Sequence, residues 1–225
     1  MARIGITGAI GSGKSFVGRL LCDRGYEVLD ADATVHDMYR DNLELRDKIA
    51  SKFGRACLFP WGINRVRLAN IIFADATMRD ELESIVYPYL TKEVRNFFKA
   101  QAVGTESAKT KVIFGGEEVE GAWSDRWKKN AKNSKPCFVE AALFTRTPEI
   151  VAMLDEIWIV TAPEDVREQR LLHRGLSLED ARRRIENQRG ECDESKFVGK
   201  TVRVLENSGD KSALEKRLNE ILAAL

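Results

Sequence analysis

The residues best able to do chemistry are those from Gly8 to Ser15, which read Gly-Ala-Ile-Gly-Ser-Gly-Lys-Ser. Glycines let the backbone wrap tightly, so that successive N–H groups converge on a phosphate at the positive end of the following helix. Lys14 would then reach the β- and γ-phosphates of ATP, and the Ser15 hydroxyl would hold Mg²⁺. The pattern predicts a phosphate loop whose nucleotide-binding residues are Gly8, Ile10, Gly11, Ser12, Gly13, Lys14, Ser15 and Phe16.

The sequence on either side of this loop gives it the required context. An apolar run, Arg3 to Thr7, is typical of a strand, and apolar residues recur at helical spacing from Phe16 to Leu21 before Gly25. A glycine-rich turn with an incidental lysine is the alternative, and the flanking strand and helix favour a phosphate loop.

Two carboxylates follow the second predicted strand, in the run Asp30-Ala31-Asp32. Side chains two residues apart in a strand point the same way, at the sheet edge where the phosphate loop lies. Asp32 is therefore the candidate general base that orients and deprotonates an acceptor hydroxyl. The alternative is that one or both aspartates cap a helix that starts near Ala33.

A further carboxylate, Glu140, ends an apolar run that begins at Pro136. Strands of this kind deliver an acidic residue to the metal in phosphoryl-transfer proteins, so Glu140 is a candidate ligand for Mg²⁺, directly or through water. An ion pair with Arg146 is the competing interpretation.

Cationic and amide side chains follow the last two predicted strands. Arg167, Arg170 and Arg174 are spaced by three and four residues, so they would share one helix face and could grip phosphate oxygens. We expect Arg170 or Arg174 to reach the transferring phosphoryl group. Asn207, in an Asn-Ser-Gly run, could read the adenine edge or could simply form a turn.

The order of elements predicts an α/β fold with a parallel five-stranded sheet, since short apolar runs without clean alternation suit strands covered on both faces. The predicted strands are Arg3–Thr7, Tyr26–Asp30, Cys137–Ala141, Glu156–Thr161 and Thr201–Leu205. The predicted helices are Lys14–Arg24, Thr34–Phe53, Arg67–Ala102 in pieces, Pro148–Leu154, Pro163–Arg174, Leu178–Arg189 and Lys211–Leu225. Thr147 before Pro148, and Ser177 with Asp180, are helix-start signals.

Three segments interrupt the alternation of strands and helices. A helical block over residues 42–102 is interpreted as an acceptor-binding subdomain, and the arginine-rich helices over residues 164–190 as a lid that excludes water. The insertion over residues 103–135 reads as a long polar loop that is either a mobile surface segment or a specific site.

Composition limits the classes of partner. A net charge of +1 provides no global field for nucleic acid or a membrane surface, so the expected partner is a small molecule. No stretch approaches the roughly eighteen apolar residues that span a bilayer, and the N-terminus enters a strand directly, which predicts a cytosolic protein.

The four cysteines lack metal or disulfide spacing and are expected to be inert thiols. Oligomeric state is left open.

These segments together resemble the dephospho-coenzyme A kinase family over most of the chain. The resemblance is carried by Gly8 to Ser15, by Asp30-Ala31-Asp32 with His36, by the runs Arg67 to Phe73 and Leu82 to Pro88, by Arg170 to Gln188 and by Asn207-Ser208-Gly209. It implies a P-loop NTPase three-layer fold with an acceptor subdomain and a lid. It also implies ATP-dependent phosphorylation of the ribose 3′-hydroxyl of dephospho-coenzyme A, the last step of coenzyme A synthesis.

The same resemblance implies roles for single residues. Asp32 would be the acceptor-side carboxylate, Arg174 a lid arginine that contacts ATP, and Asn207 part of the adenine pocket. The chain departs from the family at Tyr87-Pro88, at Glu140-Ala141-Ala142 and in the 103–135 insertion. Another nucleotide or metabolite kinase, or a nucleotide-gated switch or assembly ATPase, are the alternatives from the residues alone.

Overall fold

The computed structural model describes residues 1–103, 113–114, 117–118 and 135–225. These residues form two compact units, one made of Met1–Asp30 with Phe98–Leu225, the other of Ala31–Phe97. The predicted insertion over residues 103–135 lies almost entirely outside the described residues, and only two short paired strands, at Ile113–Phe114 and Glu117–Glu118, fall within it.

The strands are β1 (Arg3–Thr7), β2 (Glu27–Asp30), β3 (Leu58–Phe59), β4 (Gly62–Ile63), β5 (Ile113–Phe114), β6 (Glu117–Glu118), β7 (Cys137–Glu140), β8 (Glu156–Thr161) and β9 (Thr201–Glu206). The α-helices are α1 (Lys14–Asp23), α2 (Ala31–Asp41), α3 (Leu43–Phe53), α4 (Arg65–Ala74), α5 (Ala76–Val103), α6 (Pro148–Met153), α7 (Glu164–His173), α8 (Leu178–Glu186) and α9 (Lys211–Ala223). Single 3-10 turns occur at Arg55–Cys57, Phe144–Arg146 and Glu194–Lys196.

The first unit is built on a five-stranded sheet in the order β2-β7-β1-β8-β9, with every neighbouring pair parallel. This confirms the α/β fold and the parallel five-stranded sheet that the sequence predicts. The central strand, β1, is flanked by β7 and β8, so the carboxyl ends of β7, β8 and β9 surround the segment that leaves β1. Ligand sites in open parallel sheets form at such a place.

The core of this unit locks the strands together. Trp158 of β8 and Phe138 of β7 are fully buried, and their ring centroids lie 5.1 Å apart at 60°. Helices α1 and α9 cover the same face of the sheet with apolar side chains, among them Leu21 and Leu218. The Trp158 indole N–H donates a 2.6 Å hydrogen bond to Glu156, so this buried polar group has its partner. The result is a rigid platform for the strand ends.

The second unit contains α2, α3, the β3–β4 hairpin, α4 and the part of α5 up to Phe97. The prediction of one helix over Thr34–Phe53 is wrong, because Asn42 separates α2 from α3. The Asn42 side chain accepts a 2.9 Å hydrogen bond from the Leu45 amide and caps α3. Asparagine is favoured at this position, since its oxygen satisfies an amide that the helix leaves open.

Two helix-start signals have different outcomes. Ser177 caps α8 by accepting from the Asp180 amide, which confirms the predicted cap. Pro148 opens α6, but Thr147 does not cap it, because the Thr147 hydroxyl donates to the Phe144 carbonyl instead.

All four cysteines are free. Burial raises the pKa of both Cys22 and Cys137 to about 12, so these two groups stay as neutral thiols at physiological pH, as expected from the sequence. Among the helices of the described residues, none combines the length and the apolar character needed to cross a bilayer.

The packing around Gly5, in the middle of β1, gives a stability test. A Cβ at this position would lie 2.6 Å from Leu154 Cδ1 and 2.8 Å from Phe144 Cε2. We expect Gly5→Ala to lower the free energy of unfolding by about 1–2 kcal/mol, because overpacking outweighs the smaller entropy of the unfolded alanine chain. Urea denaturation measures this, and an unchanged or higher midpoint would contradict the packing argument.

Candidate active site

The turn from β1 into α1 depends on three glycines. Gly13 precedes α1 with φ 94° and ψ 23°, and Gly11 has φ 79°, both in the left-handed region that disfavours side chains. At Gly8 a Cβ would stand 2.4 Å from the Val160 carbonyl oxygen. The chain can therefore follow this path, close against β8, only with glycine at these positions.

The same turn leaves backbone N–H groups open at the start of α1. The Ser12 amide donates to the Ala9 carbonyl, and the Ile10 amide donates to the Gln188 side chain at 2.6 Å. Within the described part of the chain, the amides of Gly11, Gly13, Lys14 and Ser15 have no acceptor. Unmatched amides at a helix N-terminus form a binding site for an anion, and this one fits nucleotide phosphates.

Lys14 and Ser15 add a charge and a hydroxyl to this site. Lys14 is half-buried and forms no ion pair with any residue in the described ranges, so its ammonium group is available to a ligand. The Ser15 hydroxyl donates a 2.6 Å hydrogen bond to Glu140 Oε1. Glu140 is the last residue of β7, only 2% exposed, and pairs in register with Ile6 of β1. The predicted neighbours Ser15 and Glu140 are thus brought together.

The donor set of Ser15 and Glu140 fits Mg²⁺. A hydroxyl and a carboxylate are hard oxygen ligands, and Mg²⁺ commonly takes one or two protein ligands and completes its shell with water and substrate phosphates. Both groups lie beside the open amides of α1, where such phosphates would bind.

Arg170 of α7 lies against the backbone of the phosphate loop. Its Nη1 donates to the carbonyl oxygens of Gly11 and Ser12 at 3.0 and 3.1 Å, and its Nη2 donates to the Asn207 carbonyl and side-chain oxygens at 3.0 and 3.2 Å. Burial, and next the nearby charge of Arg174, lower the pKa of Arg170 from its ordinary value. The guanidinium group therefore contacts the backbone carbonyls of the loop, and the expected contact of Arg170 or Arg174 with the transferring phosphoryl group stays a prediction.

Asn207 follows β9 and is 6% exposed. Its amide nitrogen Nδ2 donates to the Ser12 carbonyl at 2.8 Å, its Oδ1 accepts from Arg170, and its backbone N–H donates to Thr161. Both ends of the side-chain amide are thus engaged by the phosphate loop and Arg170, and the adenine contact that the sequence suggested stays a prediction.

Phe16, predicted as a nucleotide-binding residue, packs against the core cluster beneath α1. The Arg19 guanidinium and the Lys211 ammonium lie 6.0 and 5.9 Å from the centroid of its ring. Its side chain therefore anchors the first turn of α1 to the core.

Helices α7 and α8, the predicted lid, pack against each other around Leu171, Ala181 and Ile185, and Ile10 of the phosphate loop joins this cluster. The Arg167 carbonyl oxygen lies 2.9 Å from where a Gly11 Cβ would stand. Sequence reasoning did not assign these contacts or the Gln188 bond to the site. No local signal could have shown them, since Gln188 and Ile10 are 178 residues apart.

Arg174 lies just beyond the end of α7, where it follows His173 as the C-cap residue. The sequence predicted a helix through Arg174, and the structure ends it one residue earlier, at His173. The shared helix face of Arg167, Arg170 and Arg174 stays a prediction. Its exposed side chain has no partner among the residues that the structure describes, yet its charge is close enough to affect Arg170. It is an available cation at the edge of the site.

Asp32 belongs to the second unit and lies in the first turn of α2. The argument that Asp30 and Asp32 point the same way as strand neighbours is wrong, because the helix begins at Ala31, directly after β2. Asp32 is exposed, and His36 follows one turn later. Burial, then Arg65, lower the pKa of His36, while Asp32 and Asp37 partly oppose them. The unit therefore has charged and titratable groups around the start of α2.

Comparisons with known proteins point to one family. A family model for dephospho-CoA kinase matches residues 2–111. The dephospho-CoA kinase of a Synechococcus species is 31% identical over 100% of this chain and 93% of its own length. The dephospho-CoA kinase of Corynebacterium efficiens is 31% identical, and that of Aquifex aeolicus is 28% identical. Each of these two matches covers 100% of this chain and 98% of the relative.

Comparison with solved structures supports the fold described above. A crystal structure from Thermus thermophilus is 30% identical, has a TM-score of 0.66, and the match covers 100% of this chain and 97% of that one. The dephospho-CoA kinase of Campylobacter jejuni, 20% identical with a TM-score of 0.60 over 98% and 95% of the two chains, shares the fold. On the evidence of the full-length relatives and of the phosphate loop at the head of α1, the chain belongs to the dephospho-CoA kinase family.

Proposed function

We propose that this protein transfers the γ-phosphoryl group of ATP to the ribose 3′-hydroxyl of dephospho-CoA, which yields CoA and ADP in the last step of CoA biosynthesis. The family to which the chain belongs supports the acceptor. The observation that carries the proposal is the open N-terminus of α1, where unmatched amides, the Lys14 ammonium and the Ser15–Glu140 pair lie together. This combination suits a nucleoside triphosphate.

The donor side of the reaction uses residues of the phosphate loop. The amides of Gly11, Gly13, Lys14 and Ser15 bind phosphate oxygens. Lys14 neutralises the charge that develops on the leaving phosphates. Ser15 and Glu140 would hold Mg²⁺, which as a bound cation would neutralise phosphate charge and fix the geometry for transfer. Arg174, the exposed arginine after α7, supplies a further positive charge to the transferring group.

On the acceptor side, Asp32 orients the ribose hydroxyl and accepts its proton during transfer. Support comes from chain connectivity: Asp32 is two residues beyond Asp30, the last residue of β2, and Asp30 pairs in register with Glu140. In this proposal residues 42–102 contribute to the acceptor subdomain, and residues 164–190 form the lid that excludes water from the reaction.

The acceptor is tested by presenting purified protein, ATP and Mg²⁺ with dephospho-CoA, adenosine, shikimate and other nucleosides and small alcohols in separate reactions. We expect ADP to form only with dephospho-CoA, and mass spectrometry to find the new phosphate on the ribose 3′-oxygen. Equal ADP release without any acceptor would instead indicate a switch or assembly ATPase. Faster reaction with another alcohol would indicate a different metabolite kinase.

Replacement of Lys14 tests the donor side. We expect Lys14→Ala to lower kcat by about 10²–10³-fold, because it removes a cation aimed at charge that develops in the transition state. Lys216→Ala, on the exposed side of α9, is the matched control and should leave kcat unchanged. Steady-state kinetics with saturating dephospho-CoA provide the measurement, and full activity of Lys14→Ala would show that the loop lysine is not part of the catalytic machinery.

Replacement of Asp32 tests the acceptor side. Asp32→Asn keeps the shape of the side chain but removes its basicity, so we expect kcat to fall by about 10²–10⁴-fold while the Kd for ATP changes by less than about twofold. Asp37→Asn, on the same helix and paired with Arg40, is the control. Loss of ATP affinity at normal kcat would assign Asp32 to nucleotide or metal binding instead.

A further inference from the structure

The carbonyl group of Ser12 receives two hydrogen bonds from side chains that are far apart in the sequence. Asn207 Nδ2 donates at 2.8 Å, and Arg170 Nη1 donates at 3.1 Å. The preceding carbonyl, that of Gly11, also accepts from Arg170 Nη1, at 3.0 Å. Two successive peptide groups of the phosphate loop are therefore held through their oxygens.

Holding a carbonyl fixes the amide of the same peptide group. In a trans peptide the C=O and N–H bonds point in opposite directions, so the oxygen of Ser12 sets the direction of the Gly13 N–H. That N–H belongs to the group of phosphate-loop amides, named above, that have no acceptor among the described residues. Gly13 has no Cβ, so its backbone can adopt more conformations than that of an ordinary residue, including the left-handed one seen here. An external contact is therefore needed to select one orientation of this peptide group.

We propose that Arg170 and Asn207 are positioning residues, which hold the Gly11 and Ser12 carbonyls on one side of the loop so that the Gly13 amide faces the phosphate on the other. The inference rests on the proposed function only in taking a polyphosphate as the ligand of this loop. It assigns to these two side chains the shaping of the loop, a different role from direct contact with adenine or with the transferring phosphoryl group.

The hydrogen bonds of the pair support positioning over direct binding. Each Nη group of Arg170 carries two N–H bonds, and the four contacts to Gly11, Ser12 and Asn207 match them one for one. Both ends of the Asn207 amide are also engaged. A Cβ on Gly13 would lie 2.1 Å from Asn207 Nδ2, which shows how closely the amide fits against the loop.

The pair also links three segments. Arg170 comes from α7, Asn207 follows β9, and the loop follows β1, so the shape of the phosphate site depends on the placement of the lid helix. Hydrogen bonds from a charged donor, such as those that Arg170 makes here, are among the stronger contacts of this type. Loss of either partner should therefore loosen the loop even when no nucleotide is present.

The first test compares Arg170→Lys, Asn207→Ala and the double variant with the wild-type protein, with Arg182→Lys as the matched lid control. Arg182 contacts Glu168 at the surface and does not touch the loop. Lysine keeps the positive charge but has one donor nitrogen in place of two, so it cannot hold the loop carbonyls and Asn207 in the way that the two Nη groups do. Hydrogen–deuterium exchange of the peptide over residues 8–16, in nucleotide-free protein, should become at least about threefold faster in the three loop variants and stay unchanged in Arg182→Lys.

The second test measures Kd for ATP and for inorganic tripolyphosphate by calorimetry. We expect both constants to rise by about tenfold in Arg170→Lys and in Asn207→Ala, by the same factor for each ligand, and the double variant to be no worse than the weaker-binding single variant. Thermal unfolding of each variant establishes that it is folded. Where Asn207→Ala fails to fold, Arg170→Lys carries the test alone.

Two results would overturn the proposal. A loss of ATP affinity with normal tripolyphosphate affinity would mean that these side chains read the base. Unchanged exchange in the nucleotide-free loop, together with weaker binding of both ligands, would mean that Arg170 binds phosphate directly. Neither measurement uses the acceptor, so both remain informative if dephospho-CoA proves to be the wrong substrate.

Discussion

The structure depends on the backbone path between β1 and α1. A chain that leaves a central parallel strand and enters a helix within a few residues must turn sharply, and here it does so through left-handed glycines at Gly11 and Gly13. The turn leaves the first amides of α1 without partners inside the described chain. A helix start that is not capped by its own side chains has a strong electrostatic preference for an anion. The phosphate site is a direct result of that path.

The sheet places the remaining groups around this turn. Because β7 lies on one side of β1 and β8 and β9 on the other, the residues that end β7 and follow β9 meet the loop from opposite sides. Glu140 approaches Ser15 from β7, and Asn207 approaches Ser12 from beyond β9. The buried contact between Phe138 and Trp158 fixes the strands from which these side chains project. Packing in the sheet core therefore supports the geometry of the site.

The charges of the site are local and have separate tasks. The chain has a net charge of only +1, but Lys14, Arg170 and Arg174 concentrate positive charge near the loop. Arg170 is balanced by four carbonyl and amide acceptors in the protein, whereas Lys14 and Arg174 have no partner in the described ranges. This division separates a cation that shapes the loop from cations available to a substrate. A protein can thus bind a polyphosphate without a large overall field.

The sequence by itself determined the phosphate loop and the five parallel strands, and it predicted the chemistry of Lys14, Ser15 and Glu140, because each depends on a short pattern of residue types and on the order of strands and helices. Sequence reasoning was wrong where a helix boundary decided the geometry, as at Asn42 and in the strand-like treatment of Asp32, since one residue can end or start a helix. Only the tertiary structure decided that Arg170, Asn207 and Gln188 bond to the loop itself. These contacts join segments more than 150 residues apart, and such pairings follow from how the strands and helices pack, which no local pattern encodes.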